Sequence, residues 1–560
     1  MNAARSGATV GIALMAFGSM SLVSRTPAHA TGPFTLGTAV ALPTSDGGTE
    51  PRYTVTPDGK HYAISNTGGT AFVWESNDGL TGWHQTNATG IANQTAPSID
   101  VDLVSMPAGS AHPGRLIAVE LDFGGINFRT SYSDDGGVTW TVSTTQGSPI
   151  VTTAPSTTEL ADQDRPWLAT GPHDRAYLLF HNLASGAANH NMYVATSTDD
   201  GAHFGAPIPV TSPGTQAYLD LQCADSGGPS NLFVNQQDGR VYAVYGTRSS
   251  VAAGGCGASV TGTFEVNVVA ATRVWVATAP ESGTTLPTGW TQSLAVDDNP
   301  SGHIVGMQLA PGALDSANNL YIVYPESTAT YPDYDGAAIK YVHATQTGIV
   351  NNPYGLTGPA NQVWSASVQV APAGGAGNLL PHIVAGGPGQ IDIAYFAGTE
   401  IPNATPATLA DWFLVAAQTV DALDANPIIA HYTVNYGNVP QPSPAYSHWT
   451  ASQMMGACNP SGPQAGVLNG LNCNRSTDVW GIALDNQGGF QITWPKAPSA
   501  MFGCSSPCND TFVTAQTDGP RIGPPPGPKV PEGPWVPAVL LAGGVTALIG
   551  SRFLRRRQAS

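Results

Sequence analysis

The chain is 560 residues long, with only 10% charged residues and a formal net charge of −18; its 65 glycines and 46 prolines mark a turn-rich, all-β composition. Residues 31–530 alone hold 14 Lys and Arg against 37 Asp and Glu, a net of −23. Such a surface excludes nucleic acid and anionic membrane as electrostatic partners and offers no long-range steering to an anionic substrate.

The first thirty residues read as a secretory signal peptide. Arg5 supplies the positive start, Ala8 to Val23 is uncharged and apolar, and Ala28-His29-Ala30 is a small-x-small cleavage pattern. Cleavage there makes Thr31 the new N-terminus. Next comes an orphan strand, FTLGTAVAL from Phe34 to Leu42, and then a repeat. An apolar β-rich run meets a Gly- or Asp-containing turn and a second run rich in Tyr, Val and Ile. Its copies begin at Pro51 (PRYTVTPDGKHYAIS), Pro97, Asp164 (DRPWLATGPHDRAYLLFHN), Asn231, Gly306, Pro381 and Asp478. Each reads as a hairpin of alternating apolar residues. A third strand follows, such as NFRTSYS at Asn127, NMYVATS at Asn191 or TFVTAQT at Thr511, and in most copies a fourth.

Three or four antiparallel strands repeated about seven times predict an all-β fold, a β-propeller of seven blades with six as the alternative count. The last copy lacks a fourth strand and the first is preceded by a spare one. The N-terminal strand is therefore expected to complete the last blade and pair two open edges. A two-domain β-sandwich explains neither observation.

All six cysteines (Cys223, Cys256, Cys458, Cys473, Cys504 and Cys508) fall in the exported body. An even number in an oxidising compartment suggests three disulfides, and neighbour pairing (223–256, 458–473, 504–508) is the simplest connectivity. No HExxH is present and the 13 His are scattered, so no zinc site is expected. Residues 520–534 (PRIGPPPGPKVPEGP) form a semi-rigid proline spacer. Trp535 to Ser551 is uncharged and apolar, extended by Phe553 and Leu554, and Arg552, Arg555, Arg556 and Arg557 follow. This predicts one transmembrane helix over 535–554 and a cytoplasmic basic tail over 555–560. The propeller over 31–519 is then extracellular, on a single-pass cell-membrane anchor.

Ser133-Asp134-Asp135-Gly136-Gly137-Val138-Thr139-Trp140 matches the Asp-box pattern SxDxGxTW, with Ser133, Asp135, Gly137, Thr139 and Trp140 as its key residues. Ser197, Asp199, Gly201 and Phe204 follow the looser SxDxGxxF, and Ser76 to Trp83 is a degenerate third copy. Each lies where a third strand turns into a fourth. The Asp and Ser hydrogen-bond the turn backbone, Gly takes positive φ, and the aromatic packs beneath, so the motif staples a hairpin. Boxes and repeat together resemble the BNR/Asp-box sialidase-like superfamily over nearly the whole of residues 33–517. LPHIVAGGPGQIDIAYFAGT and CNRSTDVWGIALDNQGGFQITW are similar to exported, actinobacterial-type members labelled sialidase family proteins.

That resemblance implies an arginine triad for a sugar carboxylate, an Asp acid/base and a Tyr–Glu nucleophile pair. Aligned on VTPDG, the family's first Arg falls on Glu50, a reversal of charge, with Arg52 two residues on. Polar residues at the starts of the inner strands make a second constellation: Arg52, Asp100, Asp164, Arg165, His382, Arg475 and Asp478. Converging on a funnel, they suit a carboxylate- or sugar-sized ligand. The structural alternative makes Asp164–Arg165 and Arg475–Asp478 ion pairs between loops and blades, and His382 a packing residue. Asp100/Asp102 and Asp333/Asp335 have DxD spacing that suits structural Ca²⁺; no cofactor is required. Two functions follow: a surface module that binds a glycan or another envelope component, or an exo-acting glycoside hydrolase of sialidase type.

Overall fold

The computed structural model describes residues 33–45, 49–67, 70–91, 100–122, 127–143, 163–182, 191–222, 228–247, 250–251, 255–256, 271–281, 287–298, 303–305, 309–327, 336–354, 363–400, 410–436, 444–449, 454, 479–496 and 510–523. The signal peptide, the transmembrane stretch and its basic tail, and all of the spacer after Gly523 lie outside them. So do five of the cysteines and the side chain of Cys256. Among the described residues no helix is long and apolar enough to cross a membrane.

Seven antiparallel sheets of four or five strands follow one another along the chain, with a small two-stranded pair, Ser250–Val251 and Gly255–Cys256, beside them. Their inner strands are Thr49–Val55, Val101–Ser105, Gln163–Gly171, Pro229–Val234, Gly312–Leu314, Gly377–Ala385 and Gly481–Leu484, for blades 1 to 7. Each lies against the next, and the seventh lies against the first. The fold is thus a seven-bladed β-propeller.

The missing strand of blade 7 is supplied as expected. Thr35–Leu36 and Val40–Ala41 both pair with Asp510–Asp518, its third strand, in place of an outer one. Closure covers the edge that this strand would otherwise expose.

The blades hold together because both faces of every sheet are buried. Side chains alternate across a strand, so a doubly covered strand reads as a continuous apolar run. In blade 3, Arg175–Asn182 shows this: Ala176, Leu178 and Phe180 pack against blade 2, while Tyr177 and Leu179 pack against blade 4. Seven such apolar clusters fill the seven joints between blades. At roughly 25 cal/mol per Å² of apolar area, these joints supply most of the favourable free energy of the fold.

The Asp boxes take part in those joints. Asp135 accepts from the Thr139 N–H at 2.9 Å and the Thr139 hydroxyl at 2.6 Å, and Gly137 donates to Ser133 Oγ at 2.8 Å. Asp199 repeats this toward His203, and in the degenerate copy Asp78 accepts from the N–H groups of Leu80 and Thr81. Burial opposes ionisation of Asp78, yet these bonds outweigh it and hold the carboxyl at about 2. The box aromatics, Trp83, Trp140 and Phe204, each enter the joint with the preceding blade. By strand direction all three boxes lie at the face where the inner hairpins turn, opposite the face where the inner strands begin.

Candidate functional site

Three inner strands open with the same local device. Glu50-Pro51-Arg52, Arg165-Pro166-Trp167 and Leu380-Pro381-His382 each put a non-glycine residue at positive φ (47°, 56° and 53°) directly before a proline. In each the register slips: between Thr49 and Arg52, between Asp164 and Trp167, and between Leu379 and His382. Proline has no N–H to give the ladder, so the extra residue is accommodated as a bulge that re-aims the side chain after it. A non-glycine residue at positive φ costs about 1–3 kcal/mol, a strain that the surrounding fold must support.

The re-aimed side chains meet on the propeller axis. Arg52 of blade 1 reaches Asp102 of blade 2, with Nε 3.4 Å from Oδ1. Its guanidinium lies over the ring of Trp167 of blade 3, 4.1 Å from the centroid. Nη1 donates to the carbonyl of Trp480 in blade 7 at 3.3 Å. The Trp480 ring meets the His382 imidazole of blade 6 edge-on, 4.5 Å between centroids. Five blades thus contribute to one layer, and Arg52, Asp102, Trp167, His382 and Trp480 are all less than 9% exposed.

Asp102 accepts the N–H of Leu103 at 2.8 Å and of Leu168 at 2.7 Å. Burial pushes its carboxyl up and the Arg52 guanidinium down, and their mutual attraction opposes both shifts. Glu50 and Asp100 add further negative potential at Arg52. Burial, and then the charge of Arg52, hold His382 well below the usual histidine range, so its ring is neutral. Its Nε2 is buried and has no hydrogen-bond partner.

Along the axis this layer borders a cavity of about 370 Å³, lined by inner strands of all seven blades. Its walls are largely apolar, including Val104, Leu168, Leu232, Ala313, Ile383 and Ile482. Volume, apolar walls and a few convergent polar groups are the usual constitution of a small-ligand site.

Of the sequence candidates, Arg52 and His382 line this cavity, and Asp100 is buried within electrostatic reach of Arg52. Arg165 does not line it; its side chain lies against Gly228 at the start of blade 4. Arg475, Asp478 and the side chain of Asp164 lie outside the described residues. Asp102, one of the DxD pair named above, faces Arg52 and accepts two amide N–H groups, while Asp333 and Asp335 lie outside the described residues. The sequence reading missed Trp167 and Trp480 as lining residues, although the X-Pro-Arg, X-Pro-Trp and X-Pro-His triplets at inner-strand starts were available as a signal.

Among the described residues, two Tyr–Glu hydrogen bonds are seen away from the axial cavity. Tyr62 donates to Glu75 Oε2 at 2.9 Å, and Tyr177 donates to Glu281. Burial raises both phenols, reinforced by the carboxylates, so neither is disposed toward phenolate. Among the described residues the cavity lining contains one arginine.

No protein-family model matches the chain, and no curated protein matches it. Solved structures do resemble it. An α-L-arabinofuranosidase of Fusarium graminearum, solved with arabinobiose, has a TM-score of 0.39 at 11% identity, over 86% of this chain and 97% of its own. A polysaccharide lyase described as an ulvan lyase has a TM-score of 0.40 at 11% identity, over 72% of this chain and 95% of its own. The NanB sialidase of Streptococcus pneumoniae has a TM-score of 0.37 at 10% identity, over 86% of this chain and 70% of its own.

Proposed function

We propose that this protein is a glycan-binding β-propeller displayed outside the cell, with the axial layer as its binding site. One observation carries the reading: side chains from five blades converge on an apolar-walled cavity, and a neutral imidazole there has an unpartnered, buried Nε2. A sugar hydroxyl both donates and accepts, which suits such a nitrogen, and its C–H faces suit apolar walls. Export and membrane anchoring rest on the two chain ends.

Binding without turnover is favoured over an exo-glycosidase because the Tyr–Glu contacts lie elsewhere and Arg52 already holds Asp102. The test presents the purified full chain with a glycan array and, separately, with fluorogenic sialosides and arabinofuranosides. Capture without release of fluorophore is expected. Turnover that disappears in Arg52→Ala would replace the binding reading with the hydrolytic one.

A further inference from the structure

We infer that the axial site takes a saccharide without carboxylate or sulfate and rejects acidic sugars. The inference rests on the glycan reading and concerns the charge of the ligand. Among the described residues, Arg52 is the one cation in the cavity lining, and three carboxylates act on it: Asp102, Glu50 and Asp100. Asp102 in the lining already balances that charge, and Glu50 and Asp100 act on it as well, so an anionic ligand finds no surplus positive charge at the layer.

The guanidinium is also engaged. Nε faces Asp102, Nη1 is given to the Trp480 carbonyl, and one face rests on Trp167. A ligand carboxylate that reached the Nη groups would compete for a charge that Asp102 already balances, and taking the Nε side as well would displace Asp102. Asp102 is 5% exposed, and without its counter-ion it would be a buried, unpaired charge. His382 supplies no second cation, because burial and the neighbouring guanidinium keep it neutral. What remains for a ligand is the Nη N–H groups of a charge-balanced arginine, nearby acceptors and an uncharged imidazole nitrogen beside apolar walls. Hydroxyl groups satisfy that set; an added anion does not. Negative charge around a single engaged arginine is the repulsive element through which a site discriminates.

The full chain is applied to an array with two arms. One carries arabinose-, galactose- and mannose-terminated saccharides; the other carries sialic acid- and glucuronic acid-terminated ones. Signal on the neutral arm at least ten-fold above the acidic arm is expected. In Asp102→Asn the arginine is released from its counter-charge, and the acidic arm should rise at least three-fold relative to the neutral one. If Asp102→Asn melts too low to assay, Glu50→Gln removes a negative charge near Arg52 while leaving the two amide bonds of Asp102 in place. The same relaxation is expected of it. Acidic glycans bound as well as neutral ones, or variants that leave the preference unmoved, would overturn the inference while leaving glycan binding intact. No signal on either arm removes the glycan reading and this inference together.

Discussion

At Asp392, in the second strand of blade 6, a carboxyl is 0% exposed and accepts the Gln418 Nε2 at 2.8 Å. Burial pushes it up to about 8, against the opposing effect of that bond. Its Oδ2 and the Gln418 Oε1 have no partners, and a protonated carboxyl is able to donate where a carboxylate is not. The unfolded carboxyl ionises near 4, so the fold holds this proton more tightly than the unfolded chain does. The stability it contributes is fully present below about pH 4 and is lost as pH rises toward 8. Asp392→Asn removes that dependence. It should be the more stable protein at pH 7, by up to about 4 kcal/mol, with the difference vanishing near pH 4. Guanidinium unfolding of both proteins at pH 4, 5.5 and 7 checks this; parallel pH profiles would contradict it.

Arg52 makes a second residue-scale prediction. Arg52→Met strands Asp102 in the interior and should cost about 3–5 kcal/mol, whereas Arg52→Met with Asp102→Leu should recover most of that loss. Denaturant midpoints of the three variants decide it.

Among the elements, the N-terminal strand and a short C-terminal strap both secure the last blade. Leu36 and Phe34 join the apolar joint between blades 6 and 7. Beyond Asp518 the chain crosses the turn face, where Gly387 donates to the Ile522 carbonyl at 2.6 Å and Ile522 donates to Gly488 at 3.2 Å. Ile522 is buried against Val420 and Leu484. A Cβ at Gly488 would lie 2.1 Å from the Gly523 carbonyl oxygen, so the strap requires glycine there. Ile522→Ser should therefore lower stability by roughly 2 kcal/mol, read as a lower melting temperature. Deleting residues 33–42 should do more, exposing the Asp510–Asp518 edge and producing aggregation on heating.

Closure was legible because strand counting needs only period-two alternation and turn residues, and TFVTAQT visibly lacked a successor. The Asp boxes were legible because side chain and backbone interact within eight residues. The axial layer was read only in part. Arg52 and His382 stand out as polar residues in apolar strands, but Trp167 and Trp480 look like ordinary core residues. Which charges pair depends on bulges in three strands far apart in sequence. The Thr419–Asp421 turn of blade 6, where Asp421 accepts the Ile428 N–H at 3.2 Å, escaped notice because its spacing departs from the Asp-box pattern.

Across the whole molecule the two faces of the ring differ in what they carry. The turn face is joined from blade to blade by short bonds, such as Ala111 N–H to Asp174 at 2.7 Å, Gln236 to the Thr170 carbonyl at 2.6 Å and Gly389 N–H to Asp315 at 2.9 Å. It also carries the Asp boxes and the strap. At the other end the inner strands begin, the bulges store strain, and the polar layer lies on the axis. The cavity runs along the axis from this layer toward the turn face, where Thr170, Gln236, Ala385 and Leu484 line it. The most direct test is calorimetric titration of one array-selected saccharide into the full-length wild type, His382→Phe and Asp135→Ala. The axial account predicts at least ten-fold weaker binding by His382→Phe and unchanged affinity for Asp135→Ala, which should only melt earlier. Undiminished binding by His382→Phe together with loss in Asp135→Ala would contradict it.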